Sequence, residues 1–172
     1  IYHSEGNKSV NEKKGLSHLN EDGTAVMVDV SEKDITSRVA VAAGTVSMQA
    51  HTMTLIQEGG LKKGDVISVA RLAGILGAKR TPELIPLCHP LALQNIEVKL
   101  DLNPSNNSID IEASCKVLGQ TGVEMEALTA VSISALTIYD MCKAVDRTMK
   151  LTNIRLVSKS GGKSPDFDAD ES

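Results

Sequence analysis

Aromatic residues are nearly missing from this chain: Tyr2, Tyr139 and Phe167 are all it has, with no tryptophan. Proteins that hold nucleic acid on stacking platforms need several exposed rings, and only Tyr139 falls in a regularly patterned segment. The formal net charge of −4 also argues against the basic surface that gives non-specific polynucleotide affinity. Nucleic acid is not an expected partner. Long apolar runs are missing too. The longest apolar-rich stretch, 127–135, is interrupted by Thr129, Ser132 and Ser134, whereas a spanning helix needs about 18 largely unbroken apolar residues. No membrane insertion is expected. Cysteine is sparse: Cys88, Cys115 and Cys142 are far apart, with no CxxC and no even-numbered framework. That pattern indicates neither a zinc knuckle nor a secreted disulfide scaffold. The chain reads as a reduced, cytoplasmic protein, or a mitochondrial one in a eukaryote. Because it begins at Ile1 rather than Met, a removed targeting peptide is an open alternative.

What remains suits one domain. The chain has 172 residues, 41% of them apolar, enough for a single core. Residues 1–23 are polar and carry Gly6, Gly15 and Gly23, which predicts a flexible N-terminal arm. Residues 24–167 form the expected α+β domain, and 168–172 an acidic disordered tail. Ala25 to Val30 suits a short edge strand, and Arg38 to Met48, rich in Val, Ala and Thr, a longer one. His51 to Gln57 fits a short helix stopped by Gly59-Gly60. Asp65 can cap a helix running to about Ile75, with Val66, Val69/Ala70, Ala73 and Leu76 on one face. Pro82, Pro86 and Pro90 predict a constrained loop over 80–90.

Ile96, Val98, Leu100 and Leu102 then alternate with charged residues, as a half-buried strand does. Asn103 to Asn107 reads as a hairpin, with Ile109, Ile111, Ala113 and Cys115 on the return strand. Glu124 to about Met149 carries the longest helical pattern, and Ile154 to Val157 the last strand. The order β-α(-α)-β-β-α-β is the split βαβ plan of the ferredoxin-like fold, with an antiparallel sheet and helices on one face. The other sheet face would then need covering, which favours a partner copy.

Four groups of residues could carry chemistry. Cys88 and His89 sit between Pro86 and Pro90 in a stiff loop, the kind of segment that holds binding groups. His89 is either a packing residue or a group that orients phosphate or moves a proton. Glu124 and Glu126, flanking Met125, open the long helix, where acidic residues suit the helix dipole; two apart, they point to different sides. Asp140 and Lys143 share a helix face. If exposed they are an ordinary surface pair; if covered by Ile138, Met141 and Cys142, they are a proton-transfer unit. The basic segments Lys62-Lys63-Gly64-Asp65, Lys79-Arg80 and Lys159 to Ser164 could neutralise phosphate, although the last lacks the GxxxxGK[ST] spacing of a P-loop. Together these residues predict an acid–base enzyme acting on a small phosphorylated substrate, ahead of a binding module. No motif calls for a metal or a cofactor.

The motifs MVDVSEK (Met27–Lys33), KKGD (Lys62–Asp65), AKRTPELIPLCHPL (Ala78–Leu91), GVEMEALTAV (Gly122–Val131), ALTIYDMCKAVD (Ala135–Asp146) and KSGGKS (Lys159–Ser164) resemble the cyclic pyranopterin monophosphate synthase family, also called molybdenum cofactor biosynthesis protein C. The likeness runs from about Leu16 to Phe167. It implies a lyase that converts 3′,8-cyclo-7,8-dihydro-GTP to cyclic pyranopterin monophosphate and releases pyrophosphate. It further implies a ferredoxin-like core in a homo-hexamer, a trimer of dimers, with active sites between subunits. Matched residue by residue, it makes Asp140 and Lys143 catalytic. It makes Lys33, Lys63, Cys88, His89, Glu124, Met125, Glu126 and Lys159 substrate-binding, with no metal ligands. One departure stands out: the family usually reads KSGGKSGD, and Pro165 here takes the place of that glycine, restricting the loop backbone.

Overall fold

The computed structural model describes residues 17–20, 22–61 and 63–171. Most of the expected arm (1–16 and 21) and Lys62 lie outside the described residues, as does Ser172. The elements, in chain order, are β1 (Thr36–Ser47), α1 (Ala50–Gln57), α2 (Val66–Lys79), the single turn α3 (Thr81–Leu84), β2 (Leu93–Asn103), β3 (Ser108–Gly119), α4 (Glu124–Cys142), β4 (Lys150–Ser160), β5 (Phe167–Asp168) and a terminal 3-10 turn, Ala169–Glu171. Strands pair in the order β2-β3-β1-β4-β5, every neighbour antiparallel. The result is a mixed α/β fold on an antiparallel sheet, as its strand and helix signals predicted.

Period-two alternation decides which sheet face is buried. On β1, Ala40, Ala42 and Val46 point into the core, and on β3 Ile109, Ile111, Ala113, Cys115 and Val117 do the same. Helix α4 lies across β1, β3 and β4, and α2 covers β2. The two helices approach closely because α2 carries glycine where they meet. A Cβ on Gly74 would stand 2.2 Å from Ser134 Oγ and 2.9 Å from the Ala130 carbonyl oxygen; one on Gly77 would stand 2.8 Å from Ile133. Within that contact, Ser134 Oγ donates to the Ala70 carbonyl at 3.0 Å, so the buried hydroxyl is satisfied. Asp65 caps α2 as expected, its carboxylate accepting from the Ser68 N–H at 3.0 Å, an arrangement worth about 1 kcal/mol. Among the described residues, no helix is long and apolar enough to cross a membrane.

Several expectations need correction. The 25–30 segment is not a strand of the sheet; only a single bridge joins Leu19 to Ala25, since β2 and β5 already occupy the two edges. The proline-rich loop contains the turn α3, because Pro82 falls in its first positions, where no N–H is needed. Helix α2 continues to Lys79. Helix α4 stops at Cys142, well before Met149, because the chain turns at 143–145 and Asp146 bonds elsewhere. The predicted loop over 158–167 begins only after Ser160 and ends in Phe167 pairing with Lys159; of the tail expected over 168–172, Asp168 pairs with Ser158 and 169–171 form a 3-10 turn.

The open sheet face is of mixed character. On β2 and β3 it presents Glu97, Lys99, Asp101, Asp110, Glu112 and Lys116, all exposed, with Lys99 lying 3.8 Å from both Glu97 and Glu112. That part of the face suits water, whereas on β1 the same face carries the half-buried Val39, Val41 and Ala43. Exposed apolar side chains also occur on the helices, Val69, Leu72 and Leu76 of α2 and Leu136 of α4 among them, and on the strands at Leu102, Leu118 and Ile154.

Candidate active site

Helix α4 carries a cluster of the predicted site residues at each end. At its N-terminal end, the loop 87–91, the turn 120–122 and the 28–33 segment enclose a cavity of about 340 Å³. Six of the predicted site residues line it: Lys33, Cys88, His89, Glu124, Met125 and Glu126. The two glutamates diverge, as their spacing required. Glu124 turns toward β4 and pairs with Lys159 Nζ at 3.0 Å, both side chains about one-third exposed. Glu126 turns inward and is only 3% exposed.

Burial sets the protonation in this pocket. It pushes the Glu126 carboxyl up to about 7, with the charge of Glu124 adding to the rise against a bond from the residue's own N–H. Burial, followed by the charge of Glu126, likewise pushes the Cys88 thiol up and the Cys115 thiol up to about 12. The thiols stay neutral at physiological pH, and Cys88 acts there as a small polar wall rather than a nucleophile. The pocket therefore holds Glu124, a Glu126 able to give or take a proton near neutrality, His89, Lys33 and, beside Glu124, Lys159.

Three further residues were not singled out from the sequence. Arg38 lines the same cavity and donates from Nε to the Gly119 carbonyl at 3.1 Å. Gln120 holds the Lys33 segment in place, its Nε2 donating to the carbonyls of Lys33 at 2.9 Å and Ser31 at 3.3 Å. Asp29, kept below the usual carboxylate range by the Ser31 N–H, also feels the nearby His89. Their signal was faint: Arg38 sits inside a strand pattern, and Gln120 in a turn. The 159–164 loop closes behind Lys159, with Gly161 and Gly162 at φ of 91° and 89° and Asp166 accepting from the Gly161 N–H at 3.1 Å.

The second cluster lies at the other end of α4, about 24 Å from Glu124 at roughly 1.5 Å of rise per residue. Lys143 Nζ donates to Asp140 Oδ1 at 2.6 Å. Lys63 Nζ donates to Asp140 Oδ2 at 3.1 Å and to the Asp140 carbonyl at 2.9 Å. The bonds from Lys143 and Lys63, with their charges, hold the Asp140 carboxyl below the usual range. Contrary to the expectation that apolar neighbours would cover it, the pair is about half exposed. Ile138, Met141 and Cys142 are buried on the core side, which leaves Asp140 and Lys143 facing outward. Within one chain the structure thus joins Lys63 to Asp140 and Lys143, joins Lys159 to the His89 pocket, and keeps the two groups apart.

The MoaC family model matches residues 27–162, a span that holds both clusters. Among curated relatives, the cyclic pyranopterin monophosphate synthase of Rhodospirillum rubrum is 63% identical over 150 residues, covering 87% of this chain and 90% of that protein. The enzyme of the same name from Parvibaculum lavamentivorans is 60% identical over 156 residues, covering 91% of this chain and 98% of that protein. That from Chloroflexus aggregans is 59% identical over 157 residues, with 91% and 95% covered.

Proposed function

The chain belongs to the MoaC family, and from that premise we propose that it is a lyase of molybdenum cofactor biosynthesis. In this reading it converts 3′,8-cyclo-7,8-dihydro-GTP to cyclic pyranopterin monophosphate with release of pyrophosphate. The observation that carries the reading is the clamp on Asp140: although exposed in a single chain, it is more than a surface pair, because two ammonium groups from separate segments meet one carboxylate and Lys63 also bonds its backbone carbonyl. Opening and reclosing a purine-derived ring requires repeated proton transfers at nitrogen and oxygen, and an amine held against a carboxylate is suited to them. Lys143 exchanges the protons and Asp140 orients it and stabilises its charged form. Lys63, Lys159 and Lys33, with His89, neutralise the triphosphate while a hydroxyl attacks the α-phosphorus and pyrophosphate departs. Glu124 and Glu126, with Met125 between them and Cys88 opposite, bind the ring system, and Glu126 is the one fit to pass a proton near pH 7.

Both clusters are incomplete alone, which supports a site built from two copies of the chain. In this proposal the Asp140 end of α4 in one subunit faces the His89 pocket of another, within a homo-hexamer arranged as a trimer of dimers. The exposed apolar side chains of α2 and α4 are consistent with burial in such an assembly. The strand order β2-β3-β1-β4, with helices between β1 and β2 and between β3 and β4, fits the ferredoxin-like split βαβ plan. A cytoplasmic setting, mitochondrial in a eukaryote, agrees with three unpaired cysteines.

The direct test is incubation of the purified protein with 3′,8-cyclo-7,8-dihydro-GTP. Formation of pyrophosphate and the cyclic phosphate in equal amounts is expected. Tight binding of the substrate without release of pyrophosphate would make the protein a carrier instead.

A further inference from the structure

The turn that follows Lys143 is tied down far more firmly than a surface turn requires. Asp146, three residues on, is only 3% exposed, yet the proton-transfer chemistry assigned to this end of α4 does not use it. Its Oδ2 accepts from the Gln49 N–H at 2.9 Å and from Thr52 Oγ1 at 3.1 Å. Its Oδ1 accepts from the Thr148 N–H at 2.9 Å and from Thr148 Oγ1 at 2.7 Å. Burial raises the carboxyl, but the bonds from Gln49, Thr148 and Thr52 outweigh it and hold the group ionised.

These contacts fasten the end of α4 to the start of α1, almost a hundred residues earlier in the chain. Thr52 is fully buried, and Gln49 is the residue before the first turn of α1. On the same turn, the Val145 and Asp146 N–H groups both donate to the Cys142 carbonyl, and Tyr139 Oη donates to the Arg147 carbonyl at 3.2 Å. The backbone of Lys143 is therefore held on both sides while its side chain stands half exposed. An exposed lysine side chain samples many rotamers, so the rigidity available to it comes from its backbone and from Asp140.

We propose that Asp146, clamped by Thr52, is a positioning residue for the reaction, fixing the turn from which Lys143 reaches Asp140 and the substrate. The inference rests on the assignment of Lys143 as the proton-exchanging group. Misplacing a reacting group by about 1 Å can cost roughly a hundredfold in rate, and loss confined to kcat marks an interaction used in the transition state.

The experiment compares Thr52→Val, Thr52→Ser and Asp146→Asn with the unaltered protein, all below their melting temperatures and at equal oligomer mass by light scattering. Thr52→Val removes one donor at nearly constant volume, and should lower kcat about tenfold with KM within about twofold. Thr52→Ser, which keeps the hydroxyl, should return kcat to within about twofold of the original. Asp146→Asn, if it folds, should lose more than Thr52→Val. Unchanged kcat with only a lower Tm, a loss carried by KM, or failure of serine to rescue would each overturn the proposal. Lys143→Ala serves as the control. If it retains turnover, the assignment of Lys143 fails and this inference with it. If it is inactive while Thr52→Val turns over normally, the positioning role alone is wrong.

Discussion

Lys63 reaches Asp140 from 77 residues away and donates to both its carboxylate, at 3.1 Å, and its backbone carbonyl, at 2.9 Å. The two contacts anchor the loop before α2 to the last turn of α4. In the proposed mechanism they make Lys63 part of the proton-transfer cluster as well as a phosphate ligand. In Lys63→Ala, Asp140 should titrate at higher pH than in the unaltered protein, because one of its two stabilising ammonium groups is gone. Carboxyl ¹³C NMR would follow this, and an unchanged titration would remove Lys63 from the cluster. The same variant should bind a non-reactive triphosphate analogue about tenfold more weakly by calorimetry.

Lys143→Ala should abolish product formation, a loss of at least about a hundredfold for a missing general acid or base. The side chain is half exposed and its partner Asp140 is exposed too, so Tm should change little. Activity assay and thermal melt of one preparation separate the two effects, and near-normal turnover would refute the catalytic role.

Glu126 predicts a pH-dependent stability of unusual sign. Its carboxyl is raised to about 7 in the folded chain, and it ionises near its ordinary value when unfolded. Between those values the native state binds more protons than the unfolded one, so this group's contribution falls as pH rises. Above pH 7 the full cost applies, roughly 3 kcal/mol for a shift of this size; well below pH 5 it vanishes. Glu126→Gln should therefore be more stable than the parent at pH 8 and nearly equal to it at pH 4.5. Urea melts at the two pH values measure the difference, and equal gains at both would contradict the buried, protonated carboxyl.

Gly74→Ala should destabilise the domain by about 1–3 kcal/mol, the usual cost of overpacking, because the new methyl meets both Ser134 Oγ and the Ala130 carbonyl. Adding Ser134→Ala should recover only part of the loss, since the carbonyl contact stays. Full recovery would mean that the helix backbones are free to move apart.

Much of this architecture could be read in advance because burial and backbone period agree over long stretches. The alternation in Ile96 to Leu102 and the capping Asp65 gave β2 and the start of α2 directly. The end of α4 was misread because Val145 continues the helical pattern, although that residue lies in the turn, 44% exposed. The competing force is largely tertiary: besides its neighbour Thr148, Asp146 accepts from Gln49 and Thr52, almost a hundred residues away, and no local pattern encodes partners so distant. In the site, the divergence of Glu124 and Glu126 followed from helix geometry. The exposure of Asp140 and Lys143 did not, because their apolar neighbours cover only the core side. Arg38 and Gln120 went unnoticed since each acts through a backbone carbonyl that only the folded chain brings near.

The claim on which most depends is that the two ends of α4 serve one site through different copies of the chain. Subunit mixing tests it most directly. Lys143→Ala and Lys159→Ala chains, each inactive alone, are unfolded together, refolded and assayed for pyrophosphate release. Random pairing across two-fold interfaces should restore one intact site in half the dimers, about a quarter of the original activity. A refolded mixture of normal oligomer mass that stays inactive would contradict it.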